Sequence, residues 1–225
     1  MKSLYSFSNL FLGLSLVALV AGCATESHQA MPTESVASAG TAYNGPRRAL
    51  VVGMFDNRSS YLRGVFSDGV DRLGGQAKTI LITDLQQTGR FTVMDRDNME
   101  AVTNEAAFSG QKLDIKGAKY IITGDVTEFG RKEVGDVELF GILGSGKQQV
   151  AYSKVSLNVV NVATTEVVYS VQGAGQYQLS DREVIGFGGT SGYDSTLNGK
   201  VLDLSIREAV NKLVTALEQG QWKLE

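Results

Sequence analysis

Apolar residues along the chain follow two repeats, one typical of helices and the other typical of strands. The clearest helical repeat begins at about Ser67 and ends near Gly89, with apolar residues three and four positions apart. Its inner face comprises Val70, Leu73, Ala77, Ile80, Leu81 and Leu85. Asp95 is a suitable cap for a second helix, and residues 202–217 indicate a third. The inner face of the second helix comprises Met99, Val102 and Ala106.

Short apolar runs between these helices predict strands at residues 49–55, 91–94, 119–126, 155–162 and 166–171. A tight turn at Ala163-Thr164-Thr165 joins the last two strands. The order of strands and helices predicts an α+β fold in which helices cover one side of a sheet.

Two further segments, at about 128–154 and 171–200, alternate apolar with polar residues around glycine-rich turns, as amphipathic β-hairpins do. The predicted helices already have the central strands to cover, so the apolar faces of these hairpins have little left to pack on. The candidate membrane-facing residues are Phe140, Ile142, Leu143, Tyr177, Leu179 and Phe187.

The arms of these hairpins, about 9 to 12 residues each, suit a tilted strand that crosses a bilayer. Because an unpaired backbone group costs several kcal/mol in hydrocarbon, several subunits would have to complete one transmembrane β-barrel together. The alternative is a pair of long mobile surface hairpins on a periplasmic protein.

The N-terminus has the pattern of a lipoprotein signal. Lys2 precedes an apolar run over residues 10–20, and the small residues Ala21 and Gly22 precede Cys23. We expect removal of residues 1–22 and a diacylglycerol and N-acyl lipid on Cys23, although a plain cleaved signal is the alternative. Ala24 is not the Asp that most often retains lipoproteins at the inner membrane, which favours the outer membrane with the body facing the periplasm. Residues 23–47 read as a lipidated flexible tether.

Residues 48–225 suit a single domain, since 43% of the chain is apolar. The mature chain has 20 basic and 24 acidic residues, a net charge of −4, which argues against nucleic acid as a partner. Cys23 is the only cysteine and the only histidine, His28, lies in the tether. No catalytic or metal-ligating residue and no cofactor beyond the lipid is predicted, so we expect that the protein is not an enzyme.

One motif resembles a phosphate-binding loop. Gly141 and Gly146 have four residues between them and are followed by Lys147, as in that loop. Gln148, however, stands where a Ser or Thr should bind magnesium. A phosphate loop must also lead into a helix, whereas residues 150–162 read as a strand. We therefore interpret the motif as a glycine-rich turn.

The whole mature chain resembles the curli secretion-channel lipoproteins, the CsgG family. The densest match is residues 155–167, which read Val-Ser-Leu-Asn-Val-Val-Asn-Val-Ala-Thr-Thr-Glu-Val, with Thr165 in place of the family's glycine. Further matches are Cys23, the Arg-Phe strand before Asp95-Arg96, the tip Phe140-Gly141-Ile142, and Gly192-Tyr193.

The resemblance implies an outer-membrane pore built from a ring of about nine subunits, each giving two hairpins to a barrel of about 36 strands. It implies secretion of unfolded polypeptide without ATP, through a constriction formed by a loop before the first helix. Tyr61 and Phe66 match that loop, and Val65 stands in the place of an Asn. The partners implied are outer-membrane lipid, the secreted polypeptide and other copies of the chain, with room for an accessory gating protein.

Three alternatives to this interpretation exist. Phe66 could instead pack on the first turn of a helix capped by Ser67, as a hydrophobic staple. The whole protein could be an outer-membrane lipoprotein that binds and activates a peptidoglycan synthase. A hydrolase based on carboxylates ranks last, because the acids are scattered.

Overall fold

The computed structural model describes residues 33–61, 69–137, 145–182 and 196–222. Internal contacts divide the chain into Met1–Glu34 and Ser35–Glu225. The predicted signal, Cys23 and the first part of the predicted tether, residues 23–32, lie outside the described residues. The fold below is that of the second unit.

The described chain forms a five-stranded sheet and three helices, which confirms a mixed α+β fold. The order along the chain is β1 (Arg48–Asn57), α1 (Arg72–Gln87), β2 (Phe91–Met94), α2 (Met99–Ser109), β3 (Tyr120–Val137), β4 (Ser145–Asn161), β5 (Val167–Arg182) and α3 (Thr196–Glu218). The strands lie in the order β2-β1-β3-β4-β5. β1 is parallel to β2 and β3, whereas β4 is antiparallel to β3 and β5.

Helices α1 and α3 touch each other and cover one face of the sheet, α1 over β1 and β2, and α3 over β4 and β5. The core between these two helices and the sheet is apolar and buried. Its largest side chains include Leu50, Phe91, Ile122, Leu157, Leu81, Leu85, Leu202, Ile206 and Leu213. The predicted inner face of the first helix is confirmed at Leu73, Ala77, Leu81 and Leu85.

The start of α1 differs from the prediction. Asp71 is the N-cap, and its carboxylate accepts hydrogen bonds from the backbone N–H groups of Gly74 at 2.8 Å and Asn57 at 2.6 Å. The helix therefore begins at Arg72, not near Ser67. Val70 precedes the helix and is 58% exposed, so it does not belong to the inner face.

The second helix, α2, also differs from the prediction. It begins at Met99, because the Asp95 carboxylate accepts from the backbone of Asp97 and Asn98 and so closes a turn ahead of the helix. None of its residues is buried, and Val102 and Phe108 are exposed. The spacing of apolar residues predicted this helix correctly. The prediction that one of its faces is an inner face is wrong, because no residue of the helix is buried.

The three strands β3, β4 and β5 are longer than predicted. β3 pairs with β4 from Tyr120 opposite Asn161 to Val137 opposite Ser145. β5 begins just after the predicted turn, in which Thr165 has a φ of 60°. This left-handed backbone is the conformation that glycine adopts most easily, which explains the glycine of the family pattern at this position.

Helix α3 lies directly on β5. A Cβ atom added at Gly173 would meet the carbonyl oxygen of Ser205, and one added at Gly175 would meet Leu204. The hydroxyl groups of Ser153 on β4 and Ser205 are 2.9 Å apart. The expectation that the hairpin from residue 171 has little left to pack on is therefore wrong for its first arm, because α3 covers it. Its predicted end is also wrong, because α3 already begins at Thr196.

An N-terminal strap, residues 36–43, packs on this body, although the sequence predicts a flexible tether up to residue 47. Val36 is 3% exposed, and the backbone N–H of Ala37 donates to Asn211 Oδ1 at 2.9 Å. The strap carries one branched apolar residue, Val36, among mostly small residues, a signal too weak to read from the sequence alone.

Buried Arg90 binds the strap through hydrogen bonds to its backbone. Its guanidinium donates to the carbonyl oxygens of Ser38 at 3.2 Å and Thr41 at 3.4 Å, and lies 4.9 Å from the ring centre of Tyr43. Glu218 on α3 pairs with the same guanidinium at 2.6 Å. Because Arg90 is 4% exposed, its charge needs these partners, and the strap supplies part of them.

We expect Gly173→Ala to lower the free energy of unfolding by about 1–3 kcal/mol, because the new methyl group must push α3 away from β5. Urea unfolding measures the change. Gly75→Ala on the open surface of α1 is the control and should instead add about 0.5–1 kcal/mol. Equal effects of the two substitutions would contradict the close approach.

Val36→Asp should release the strap, because a buried carboxylate without a partner costs more than the strap contacts supply. Hydrogen exchange at the amides of Ala39 and Thr41, which are bonded within the strap, should become at least about tenfold faster. Amides of β4 should not change. Val162→Asp at an exposed position is the control, and strap amides that exchange at unprotected rates in the unaltered protein would show that the strap is not docked.

Candidate functional site

The candidate site lies where three strands leave the helix-covered body. Arg131 on β3, Ala151 on β4 and Tyr177 on β5 lie side by side in the sheet. Beyond this row the strands continue in register through residues 132–137, 145–150 and 178–182. α3 begins at Thr196, and its residue Asn198 is bonded to Arg131 of the same row. Two segments of chain, 132–150 and 178–195, thus start from the same end of the body.

A cluster of polar side chains joins four parts of the chain at this end, and we call it the strand-exit network. Asn198 in the first turn of α3 accepts from Arg131 Nη2 at 3.2 Å and donates to the hydroxyl of Tyr61 at 2.7 Å. Arg131 Nη1 donates to Gln149 Oε1 at 3.2 Å. Phe129 completes the cluster, with its ring centre 4.8 Å from that of Tyr61.

The network is enclosed rather than solvated. Gln149 is 7% exposed and Phe129 is 4% exposed, while Arg131, Asn198 and Tyr61 are half-buried. Polar groups in such a place favour one geometry, because each lost partner leaves another group unsatisfied, at a cost of about 1–3 kcal/mol. The network therefore fixes the start of α3 and the loop after β1 against the bases of the emerging strands.

The structure includes only part of the predicted site. Tyr61 belongs to the strand-exit network. Two candidate constriction residues and four candidate hairpin residues lie outside the described residues, as does the lipid attachment site: Val65, Phe66, Phe140, Ile142, Leu143, Phe187 and Cys23. Leu179 lies in β5 opposite Gln149.

Tyr177 is a correction to the predicted set of membrane-facing residues. It pairs with fully buried Ala151 and packs against the core, because α3 covers this part of β5. The staple alternative for Phe66 also loses its premise, because Asp71 and not Ser67 caps the helix.

Three members of the network, Arg131, Gln149 and Asn198, were not predicted. A signal for two of them exists in the sequence, since Arg131 follows Phe129 by two residues and Gln149 precedes Ala151 by two. Polar residues at inward positions of a strand mark a buried polar cluster. Asn198 could not be found in this way, because its partners are more than 60 residues away.

The phosphate-loop interpretation is excluded by its context. Ser145, Gly146 and Lys147 begin β4, so the motif leads into a strand as predicted and not into a helix. Within the described ranges there is no group of three or more His, Cys, Asp or Glu residues that could hold a metal ion. None of the helices in these ranges is long and apolar enough to cross a membrane.

One carboxyl group, that of Asp84 in α1, is buried near charged residues of α3. Asp84 is 3% exposed, and burial, assisted by the nearby Asp203, raises its pKa from the ordinary 3.8 to about 7. Arg207, which is paired with Asp203 at 3.0 Å, opposes this shift. Asp84 Oδ2 has no hydrogen-bond partner among the described residues.

Asp84 makes the stability of the fold depend on pH. Between pH 4 and 7 the folded protein keeps a proton that the unfolded chain has released, so its contribution to stability is complete below about pH 4 and is lost as the pH rises to 7. We expect Asp84→Asn to stabilise the protein by about 1–3 kcal/mol at pH 7.5 and much less at pH 4. Urea unfolding at both pH values tests this, with exposed Asp114→Asn as control. A gain of the same size at both pH values would be the contrary result.

The chain is similar to proteins of known structure at low sequence identity. The PelC dodecamer from Paraburkholderia phytofirmans is 14% identical, with a TM-score of 0.36 over 81% of this chain and 93% of that one. A Neisseria meningitidis lipoprotein of known structure is 15% identical, with a TM-score of 0.36 over 75% of this chain and 99% of that one.

Sequence comparison gives a closer relationship. A protein of Neisseria meningitidis serogroup B, whose name describes it as a lipoprotein, is 64% identical over 202 residues, which are 90% of this chain and 91% of that protein. Residues 33–225 match the family described as curli production assembly/transport component CsgG. This match confirms the resemblance drawn from the sequence motifs, and the chain belongs to the CsgG family.

Proposed function

We propose that this protein is an outer-membrane lipoprotein whose subunits assemble into a pore for the secretion of unfolded polypeptide. The observation that carries the proposal is the continuation of β3, β4 and β5, in register, beyond the end of the body that α3 covers. β3 and β4 are the arms of one hairpin and β5 is the first arm of the predicted second one, and a multi-subunit barrel requires two such hairpins side by side from each subunit.

The lengths of the two emerging segments support this proposal. Residues 132–150 and 178–195 provide arms of about eight or nine residues each, slightly below the 9–11 that a tilted strand uses to cross an average bilayer. The bacterial outer membrane is thinner than average, so the shorter arms suit it. Four strands cannot close a barrel alone, which is why the proposal needs a ring of subunits. The family implies about nine.

The docked strap brings the lipid into range of this end of the body. About 12 residues separate Cys23 from Val36, and they can reach about 40 Å when extended. The strap is bonded to α3 at Asn211, which lies about 20 Å along the helix from Asn198. The lipid can therefore reach a membrane at the strand-exit end. A synthase activator would need to extend into the periplasm, and this short tether disfavours it.

Transport through the pore needs no cofactor and no hydrolysis. We propose that the loop carrying Val65 and Phe66 forms a collar that passes unfolded chains, such as curli-like or adhesin subunits, and resists folded ones. A ring of apolar side chains can also gate by excluding water, and valine in place of asparagine would make the collar drier. An accessory protein on the periplasmic side would then act as a gate from outside the ring.

Single-channel conductance tests the pore and the collar together. The full-length lipoprotein, extracted from outer membranes in detergent, is added to a planar bilayer. The size of the protein oligomer is measured in the same detergent. We expect a large oligomer and uniform conductance steps. Phe66→Ala should enlarge the steps, because it removes the widest side chain of the collar.

Phe108→Ala is the matched control, since Phe108 is an 86% exposed aromatic residue on α2 and should leave the steps unchanged. Equal steps in all three proteins would retain the pore and reject the collar. A silent bilayer together with a monomeric protein would overturn the proposal and favour the synthase activator.

A further inference from the structure

We infer that the N-terminal strap is a latch, and that ionisation of the Asp84 carboxyl group in the contact between α1 and α3 favours its release. The contacts involved lie within one subunit, so the latch does not depend on the proposed pore. Asp84 is enclosed where the two helices meet, its charged neighbours belong to α3, and hydrogen bonds connect the end of α1 to the strap.

The surroundings of Asp84 favour its protonated form. Asp84 lies in the last turn of α1, and its neighbours along the buried face of the helix, Leu81 and Leu85, are fully buried. Its Oδ2 atom has no hydrogen-bond partner among the described residues. An ionised carboxylate in such a place costs free energy, because neither water nor a donor compensates its charge. A protonated Asp84 avoids this cost, so a closed contact between α1 and α3 binds the proton.

The charged groups that act on Asp84 are Asp203 and Arg207 of α3, and among the described residues the strands that α1 also covers contribute none. Arg207 is 6% exposed and already donates to Asp203 at 3.0 Å. An ionised Asp84 therefore places two carboxylates beside one guanidinium, whereas a protonated Asp84 leaves a balanced pair. Because burial raises the pKa of Asp84 to about 7, the contact loosens as the pH rises towards neutral.

A short chain of hydrogen bonds connects Asp84 to the strap. The backbone carbonyl of Asp84 accepts from the N–H of Thr88 at 3.2 Å, where α1 ends. The carbonyl of Thr88 accepts from Arg90 Nη1 at 2.6 Å, and the same nitrogen donates to the carbonyls of Ser38 and Thr41 in the strap. Thr88 is 1% exposed, so this connection is enclosed. A displacement of the end of α1 therefore moves the guanidinium that binds the strap.

Arg90 also requires α1 and α3 to keep their spacing. Its Nη1 atom is bonded to the end of α1, while its Nε and Nη2 atoms are bonded to Glu218 of α3. The guanidinium can reach both helices and the strap only while the helices stay together. The strap itself contains a buried hydroxyl oxygen, Ser38 Oγ, without a hydrogen-bond partner among the described residues. Such a segment belongs to the less stable parts of a fold, which open first.

Release of the strap changes the length of free chain before the first strand. With the strap docked, about 12 residues separate Cys23 from Val36, whereas about 24 separate Cys23 from Arg48 at the start of β1. The maximum reach of this chain therefore doubles, from about 40 to about 80 Å. The latch thus makes the length of the predicted lipid tether depend on pH.

Hydrogen exchange of the full-length protein at pH 5.5 and pH 8 tests the latch. The rates at the amides of Ala39 and Thr41 are divided by those of unprotected amides at the same pH. We expect this protection to fall at least about tenfold from pH 5.5 to pH 8. Asp84→Asn should remove the dependence on pH, and Asp84→Ala is a second variant for the same test. Exposed Asp114→Asn is the control and should keep the dependence.

Three results would overturn the inference. One is strap protection that does not change with pH in the unaltered protein. Another is a pH dependence that persists in both Asp84 variants, which would assign the effect to another group such as His28, the only histidine. The third is equal exchange rates for strap and β4 amides, because the strap would then be released only when the whole fold opens.

A double-mutant cycle provides the reciprocal test, because coupling between two sites acts equally in both directions. If ionisation of Asp84 weakens docking of the strap tenfold, a released strap must make ionisation of Asp84 tenfold easier. The stability gained from Asp84→Asn at pH 7.5 should therefore be smaller in the Val36→Asp background by about 1.4 kcal/mol, which corresponds to that tenfold coupling. Exposed Val162→Asp is the matched background and should leave the gain complete. Equal gains in both backgrounds would overturn the latch.

Discussion

The close approach of α3 to β5 is the constraint on which the rest of the structure depends. Gly173 lets the backbone of α3 lie against the backbone of β5, and Gly175 leaves room for the side chain of Leu204. From this line of contact α3 extends to both ends of the body. Its first turn meets the emerging strands at Asn198, and its later turns meet the strap at Asn211 and buried Arg90 at Glu218. One helix thereby connects the membrane-facing end proposed here with the strap.

Buried charge is concentrated along the same helix. Arg207 is held by Asp203 close to Asp84 of α1, and Arg90 is held by Glu218 close to the strap. Such pairs are weak contributors to stability, because desolvation offsets most of their attraction. Their value is in geometry, since each charge tolerates few positions for its partners. They fix how α1 and the strap sit on α3 more strictly than apolar contacts alone would.

The sequence predicted what depends on local periodicity and little that depends on distant contacts. The inner face of α1 was correct at Leu73 and Leu81, because three- and four-residue spacing is a property of the segment itself. The exposed face of α2 could not be predicted, since the pattern gives an apolar side and not the partner for it. Val36 was missed for the converse reason, because a single valine among small residues becomes a core residue only through contacts with distant parts of the chain.

The strap has a consequence for the order of events during folding. The N–H of Ala37 is bonded to Asn211, 174 residues later in the chain. Contacts of such long separation form only after almost the whole polypeptide is available. The residues before β1 are therefore not held by the body until the last helix has folded. If Cys23 carries the predicted lipid, the distance between anchor and body shortens only at this last step of folding.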